Sequence, residues 1–262
     1  MGPEERARVV ESLPGEVTWD EMAMPEGDPH FGAKVRTLDV LKAYFRNQRR
    51  KVYLGAELPV YYPAERRFAP DLVAVLDAET HERNKWVVSH EGKGLDWVLE
   101  VHFGGDRKKD AVFNVKRYAR LGIPEYFIYD RRKQRLEGYR LPTPEARKYE
   151  RMLPRQGRFV SEVLGLELGV SEEKLQLWAG NALLLESAEM LVRVQEKLEE
   201  IAQQREEEAR RREETEHRLT EAEHRLTETE HRLAEEARRR EEAEQRLKDL
   251  QAELERLQHF KS

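Results

Sequence analysis

The chain has 262 residues, no cysteine and no apolar run of membrane length, which excludes a disulfide framework and a transmembrane helix. Its hydrophobic fraction is 39% and its charged fraction 38%, so part of the chain lies outside an ordinary core. The formal charge of −5 is uneven: residues 181–262 hold 16 Lys and Arg against 23 Asp and Glu, whereas residues 1–180 hold 31 against 29. Local basic clusters, rather than the total, therefore decide whether phosphate can bind. The opening MGPEERARVV has no signal-peptide core, and the expected location is intracellular, reducing and cytoplasmic.

Residues 1–25 read as an entry segment that ends in a turn at Glu26-Gly27-Asp28. Helical spacing then runs from Ala33 to Gln48, with Val35, Leu38, Leu41 and Phe45 on one face. VYLGAELPVYY, within Lys51–Tyr62, is strand-like, with Gly55 as a bulge and Glu57 as an acid beside the expected sheet. FAPDLVAVL, Phe68–Leu76, is a second strand with Pro70 at its mouth and Asp71 just inside. Ala78–Gly94 is polar, interrupted by WVV, and reads as a hairpin or excursion. The segment from Trp97 to Asp130 reads as strand, turn, helix, strand. WVLEVHF breaks at Gly104-Gly105, a helical pattern runs from about Asp106 to Leu121, Gly122 and Pro124 end it, and YFIYD resumes an extended pattern. Leu136–Leu141 pairs back on YFIYD across the basic turn RRKQR. Pro142–Arg158 is a Pro- and charge-rich connection.

Two acids stand out. Glu100 is flanked by Val98, Leu99, Val101 and Phe103, and a carboxylate losing its hydration there needs a partner or a metal ion. Asp71 repeats the anomaly on the upstream strand. The residues alone leave two accounts open: a metal pair, or a turn acid at Asp71 and an ion pair between Glu100 and an Arg of the helix. Basic clusters lie at Arg46–Lys51, Arg107–Lys109 and Arg131–Arg135, each at the end of an element, where ordinary solvation competes with phosphate binding.

Pro70-Asp71, Glu100 and the block YARLGIPEYFIYD together resemble the PD-(D/E)XK nucleases, and more narrowly the Uma-two-type putative restriction endonucleases. The resemblance spans about residues 24–178, from GDPHF to SEVLGLELGV, and LGIPEYF is its specific part. It implies an α/β fold with a restriction-endonuclease-like mixed sheet flanked by helices. It implies hydrolysis of DNA phosphodiesters with Mg²⁺, or Mn²⁺ in its place, held by Asp71 and Glu100. Phe159–Trp178 is similar to the family's closing strands, giving a domain at 26–180 and an appended segment at 181–262. The chain departs from the family where a Lys completes the site. His102 stands two residues after Glu100, and Asn114 stands four residues before Tyr118. His102, Lys108 and Lys109 are the candidates for the third role, and Lys109 and His102 are read beside Asp71 and Glu100 as catalytic. Lys116 is about 200° around the helix from Asn114. The alternative is a catalytically impaired fold that binds nucleic acid or acts as a scaffold.

From Leu184 a heptad register runs on without Pro or Gly. Its a positions include Leu191, Leu198, Leu219, Leu226, Leu233, Leu247 and Leu254, and its d positions include Val194, Ile201, Leu250 and Leu257. EHRLTEA, EHRLTET and EHRLAEE repeat at seven residues, the period of a left-handed coiled coil. Arg218, Arg225 and Arg239 at g would face Glu223, Glu230 and Glu244 at e of a parallel neighbour. This predicts a parallel homodimer through residues 184–258, with a different coiled-coil partner as a further reading. An isolated charged helix held by i,i+4 pairs is the competing one. His217, His224 and His231 fall at f, about 10.5 Å apart, too far to share a metal.

Overall fold

The architecture was read from a computed structural model, which describes residues 2–16, 27–103 and 109–259, with side chains from 111 to 252 in the last stretch. The chain divides into two compact units, residues 1–191 and 192–262. Among the described residues no helix is long and apolar enough to cross a membrane.

The first unit opens with helix α1 (Pro3–Ser12), then α2 (Gly27–Asn47), β1 (Val52–Ala56), β2 (Val60–Tyr61), β3 (Leu72–Leu76), β4 (Trp86–Val87) and the short α3 (Val88–Glu91). It continues with β5 (Trp97–His102), a π-helical segment (Lys109–Asn114), α4 (Val115–Arg120), β6 (Glu125–Asp130), β7 (Arg135–Arg140) and β8 (Glu150–Arg151). Four closing strands follow: β9 (Arg158–Ser161), β10 (Leu166–Ser171), β11 (Lys174–Ala179) and β12 (Ala182–Leu183). The last element is α5 (Ser187–His259).

The main sheet has the order β1-β3-β5-β6-β7-β8. Strands β5 and β6 are parallel, as a strand-helix-strand crossover requires, and the other pairs are antiparallel. Alternation along β5 splits its side chains between two cores. Trp97, Leu99 and Val101 pack with Leu41 and Phe45 of α2 and with Leu166 and Leu168 of β10. Val98 packs on the other face with Tyr118, Tyr126 and Ile128. Covered on both faces, β5 is buried along its whole length, including Glu100.

Several local expectations shift in three dimensions. The buried stripe of α2 is His30, Ala33, Lys34, Thr37, Val40, Leu41 and Phe45, while Val35 is exposed. Gly55 is no bulge, because β1 and β3 keep one register from Val52↔Leu76 to Ala56↔Leu72. The break comes at Glu57, whose φ of 51° is left-handed. The 78–94 excursion holds β4, which pairs with β2 in parallel rather than as a hairpin. The helix expected over 106–121 is π-helical and then α-helical over 109–120, its earlier residues lying outside the described ones. Leu184, the first position of the heptad register, precedes α5: its N–H donates to the Leu177 carbonyl and its side chain packs on the core. Asp39 of α2 instead caps α5, accepting from Ser187 N at 2.7 Å and Ser187 Oγ at 2.8 Å.

The closing strands form a second sheet in the order β12-β11-β10-β9, and Glu125, in the LGIPEYF block, joins it to the main sheet. It is 1% exposed and accepts from Ser161 Oγ (2.5 Å), Glu162 N (2.9 Å) and Arg140 Nε (2.9 Å). Nearby, Gly138 leaves room for Phe159 of β9, since a β-carbon there would lie 3.2 Å from that ring and 2.9 Å from both Met152 and Phe127. Removing the Glu125 carboxylate leaves the buried Ser161 hydroxyl and the Glu162 N–H without this acceptor, while Arg140 keeps Glu162. Glu125→Ala should therefore lower unfolding stability by on the order of 3 kcal/mol in urea denaturation, with the two-state slope retained.

Candidate active site

The β3–β5 ladder ends at Leu72 opposite Leu99. Beyond that point Pro70 has no N–H to contribute, and side chains replace the backbone acceptors. Asp71 N–H donates to Glu100 Oε2 at 3.2 Å, and Val101 N–H donates to Asp71 Oδ2 at 2.8 Å. Each carboxylate thus takes an amide from the other strand, and both are buried, at 9% and 8% exposure.

A histidine and a lysine from α2 meet this charge. His30 Nε2 lies 3.4 Å from Asp71 Oδ2, and Lys34 Nζ lies 3.5 Å from Asp71 Oδ1. Lys34 also donates to Glu57 Oε1. His30 and Lys34 are one helical turn apart and in phase with Leu41, so the apolar stripe of α2 becomes polar where it reaches the strand ends. The left-handed turn at Glu57 is fixed by its own N–H, 3.1 Å from the carbonyl oxygens of both Pro70 and Asp71. Burial pushes the Asp71 carboxyl up, but the His30 hydrogen bond, the His30 and Lys34 charges and the Val101 N–H together outweigh it and hold the group below its ordinary value.

Glu100 is oriented from the other side of the sheet. Tyr118 Oη donates to Glu100 Oε1 at 2.7 Å, and Asn114 Nδ2 lies 3.4 Å from the same oxygen. The π-helical segment ends at Asn114; its wider i→i+5 turns change the phase at which side chains leave the helix, a distortion that recurs at functional sites. A cavity of about 190 Å³ opens beside Glu100, lined in part by Phe68, Phe113, Asn114, Arg117 and Tyr118.

The structure thus brings Asp71 and Glu100 together, with Asn114 buried against Glu100. His102 is buried on β5, on the same face as Glu100 by strand alternation and in register with Asp130 of β6. Lys116 is exposed. Lys108 and the side chain of Lys109 lie outside the described residues. The sequence reading missed His30 and Lys34 and left Glu57 without a partner. The available signal was a lysine seven residues before Leu41, in the buried phase of a helix, where an unpaired ammonium would be costly.

Among the described residues no group of three or more His, Cys, Asp or Glu is arranged to hold a metal ion. The donors of Asp71 and Glu100 are hard carboxylate oxygens. Mg²⁺ is ordinarily held by one or two carboxylates and keeps several waters, and Mn²⁺ suits the same oxygen donors, so either ion fits this pair.

The first unit is thus a mixed α/β domain with buried carboxylates at adjacent strand ends. Residues 5–177 match the Uma2 family, described as "Putative restriction endonuclease", and the chain belongs to that family. Its fold is accordingly restriction-endonuclease-like, with α5 appended. A solved structure described as a putative nuclease belonging to DUF820, from Anabaena variabilis ATCC 29413, is similar at 17% identity and a TM-score of 0.39, covering 51% of this chain and 74% of that one. No curated protein matches the chain.

The depressed Asp71 carboxyl has a signed consequence. Its stabilisation is complete above the ordinary value of 3.8 and is lost as pH falls below 3.8 toward the lower folded value. Urea midpoints measured from neutral to strongly acidic pH should show wild type ahead of Asp71→Asn at neutral pH. The gap should close only on the acid side of about pH 4.

Proposed function

We propose that the chain is a Mg²⁺-dependent endonuclease that hydrolyses DNA phosphodiester bonds, with Mn²⁺ able to substitute, and that α5 dimerises it as a parallel coiled coil. The observation that carries the catalytic reading is the carboxylate pair with Lys34 lodged against it. In the reaction water adds to phosphorus and the P–O bond to the leaving oxygen breaks, giving a phosphomonoester and a free hydroxyl. A divalent cation bound by Asp71 and Glu100 would activate water and offset charge on the phosphate. Val101 N–H and His30 hold the Asp71 carboxylate, while Tyr118 and Asn114 hold that of Glu100. Lys34 takes the role that family members give to a lysine near Glu100: its ammonium faces the charge that develops on the phosphate. A lysine delivered from α2 explains how His102 and Asn114 are tolerated at the usual lysine positions.

The catalytically impaired reading is favoured by one feature, the ion pairing of Lys34 with both Asp71 and Glu57, which balances the carboxylates without a metal. Cleavage of supercoiled plasmid and single-stranded DNA with Mg²⁺, Mn²⁺ or chelator separates the two. Metal-dependent cutting should be lost in Asp71→Ala and Glu100→Ala, and Lys34→Met should slow turnover by about 10²- to 10³-fold. No cutting by pure wild type on either substrate would leave the binding or scaffold reading. Cutting that survives both carboxylate substitutions would remove the site.

The dimer reading rests on the leucine stripe of α5. Leu219, Leu226 and Leu233 are 60%, 60% and 61% exposed in the single chain, in a helix that repeats them every seven residues. Arg218 and Arg225 pair within the helix with Glu214 and Glu221, which also supports the isolated-helix reading. Sedimentation equilibrium decides: wild type should be dimeric at micromolar concentration, and Leu219→Asp/Leu226→Asp/Leu233→Asp monomeric. A monomeric wild type would favour the isolated helix.

A further inference from the structure

Of the basic clusters, Arg131–Arg135 is largely committed to internal contacts. Arg131 donates through its guanidinium to the Pro29 carbonyl, Lys133 Nζ lies 3.9 Å from Asp130, and Arg135 Nε lies 3.2 Å from Glu137. The cluster at the end of α2 is different. Lys42, Arg46, Arg49 and Arg50 are exposed, and among the described residues none has a carboxylate partner. With Lys51 and Arg83, which pair with Glu79 and Glu91, they line a groove of about 750 Å³ along β1, the open edge of the main sheet. Among the described residues Glu82 is the one acidic residue lining it.

The C-terminal dipole of α2 favours a cation in its last turn, which accounts for Arg46. It does not account for Arg49. The helix ends in a Schellman motif, with Arg50 N–H donating to the Phe45 carbonyl at 3.1 Å and Arg49 N–H to the Arg46 carbonyl at 3.0 Å. Arg49 is the residue after the helix that must turn left-handed, at φ 54°, a position at which glycine avoids the steric strain. The chain therefore keeps a cation where folding alone favours glycine, and such an outlier points toward function.

Both rails of the groove lead to the candidate active site. From Lys34 to Arg46 along α2 is about 18 Å at 1.5 Å per residue. The five residues of β1 span about 17 Å at 3.3 Å each, and Glu57, which holds Lys34, follows immediately. That length corresponds to about five phosphates on one strand of a duplex at 3.4 Å spacing.

We propose that this groove is a phosphate track, in which Lys42, Arg46, Arg49 and Arg50 hold the backbone of the same DNA about five nucleotides from the bond at the carboxylate pair. The inference rests on the nuclease reading for its ligand, but its test is binding. Anisotropy of labelled 20-mer duplex and single strand would be measured on the full chain, with Ca²⁺ in place of Mg²⁺, across a NaCl series. For Arg46→Gln/Arg49→Gln/Arg50→Gln the slope of log K against log salt should fall by about 2 to 3, each lost phosphate contact removing about 0.9 on duplex and 0.7 on single strand. Lys133→Gln/Arg135→Gln, at positions already engaged with carboxylates, should leave the slope unchanged. Arg49→Gly should raise the unfolding midpoint while weakening binding, a combination that a purely structural role does not produce.

An unchanged slope in the triple variant overturns the track, as does a wild type that binds neither oligonucleotide; the open edge of β1 would then be left to a peptide strand. Hydrolysis of bis(p-nitrophenyl) phosphate by wild type with Mg²⁺ reads the catalytic proposal separately, because that diester cannot reach from the site to the groove. Hydrolysis with an unchanged slope sinks the track alone. A reduced slope without hydrolysis sustains the track and sinks the nuclease reading.

Discussion

The structure turns on two carboxylates buried where the β3–β5 ladder ends. Desolvating Asp71 and Glu100 is costly, and the surrounding elements are disposed to meet that cost. Helix α2 turns Lys34 and His30 inward, the turn at Glu57 supplies a second acceptor for Lys34, and the π-helical segment brings Asn114 beside Tyr118 on Glu100. Two strand amides that would lack acceptors at the end of the ladder are satisfied by the same carboxylates. One arrangement thus closes the hydrogen bonding of the sheet and concentrates negative charge at the ends of two interior strands, where the proposed divalent cation would find oxygen donors.

The block that most clearly marks the family does not itself supply these carboxylates. In LGIPEYF, Glu125 clamps the closing sheet to the main one, and Tyr126 is buried among Tyr118, Tyr139 and Tyr149. A motif can be specific to a family because it fixes how layers join, with chemistry left to residues of ordinary type elsewhere. Helix α2 links the regions: its first turns meet the carboxylates, its middle caps α5 through Asp39, and its end carries cations that have no carboxylate partner among the described residues.

The second unit obeys different physics. A helix with leucines on one stripe and charges elsewhere gains little from folding alone, because the stripe stays in water. Its internal ion pairs are exposed, and such pairs are individually weak. The larger reservoir of stabilisation is the apolar stripe, which a second helix could bury.

By itself the sequence determined what depends on local pattern. Short apolar, aromatic or β-branched runs marked β3, β5, β6 and β7, Gly122 and Pro124 marked the end of α4, and the seven-residue repeat marked α5. Asp71 and Glu100 were visible because a charge inside an apolar strand is anomalous at short range. Only the tertiary structure decided that Lys34 reaches Asp71, since 37 residues separate the two. It also decided that Val35 faces out, that Leu184 belongs to the domain core, and that Arg49 occupies a left-handed turn. Periodicity fixes which residues share a face. Which face meets which neighbour is set by long-range packing and by pairing buried charge, and neither is encoded within any single window of the chain.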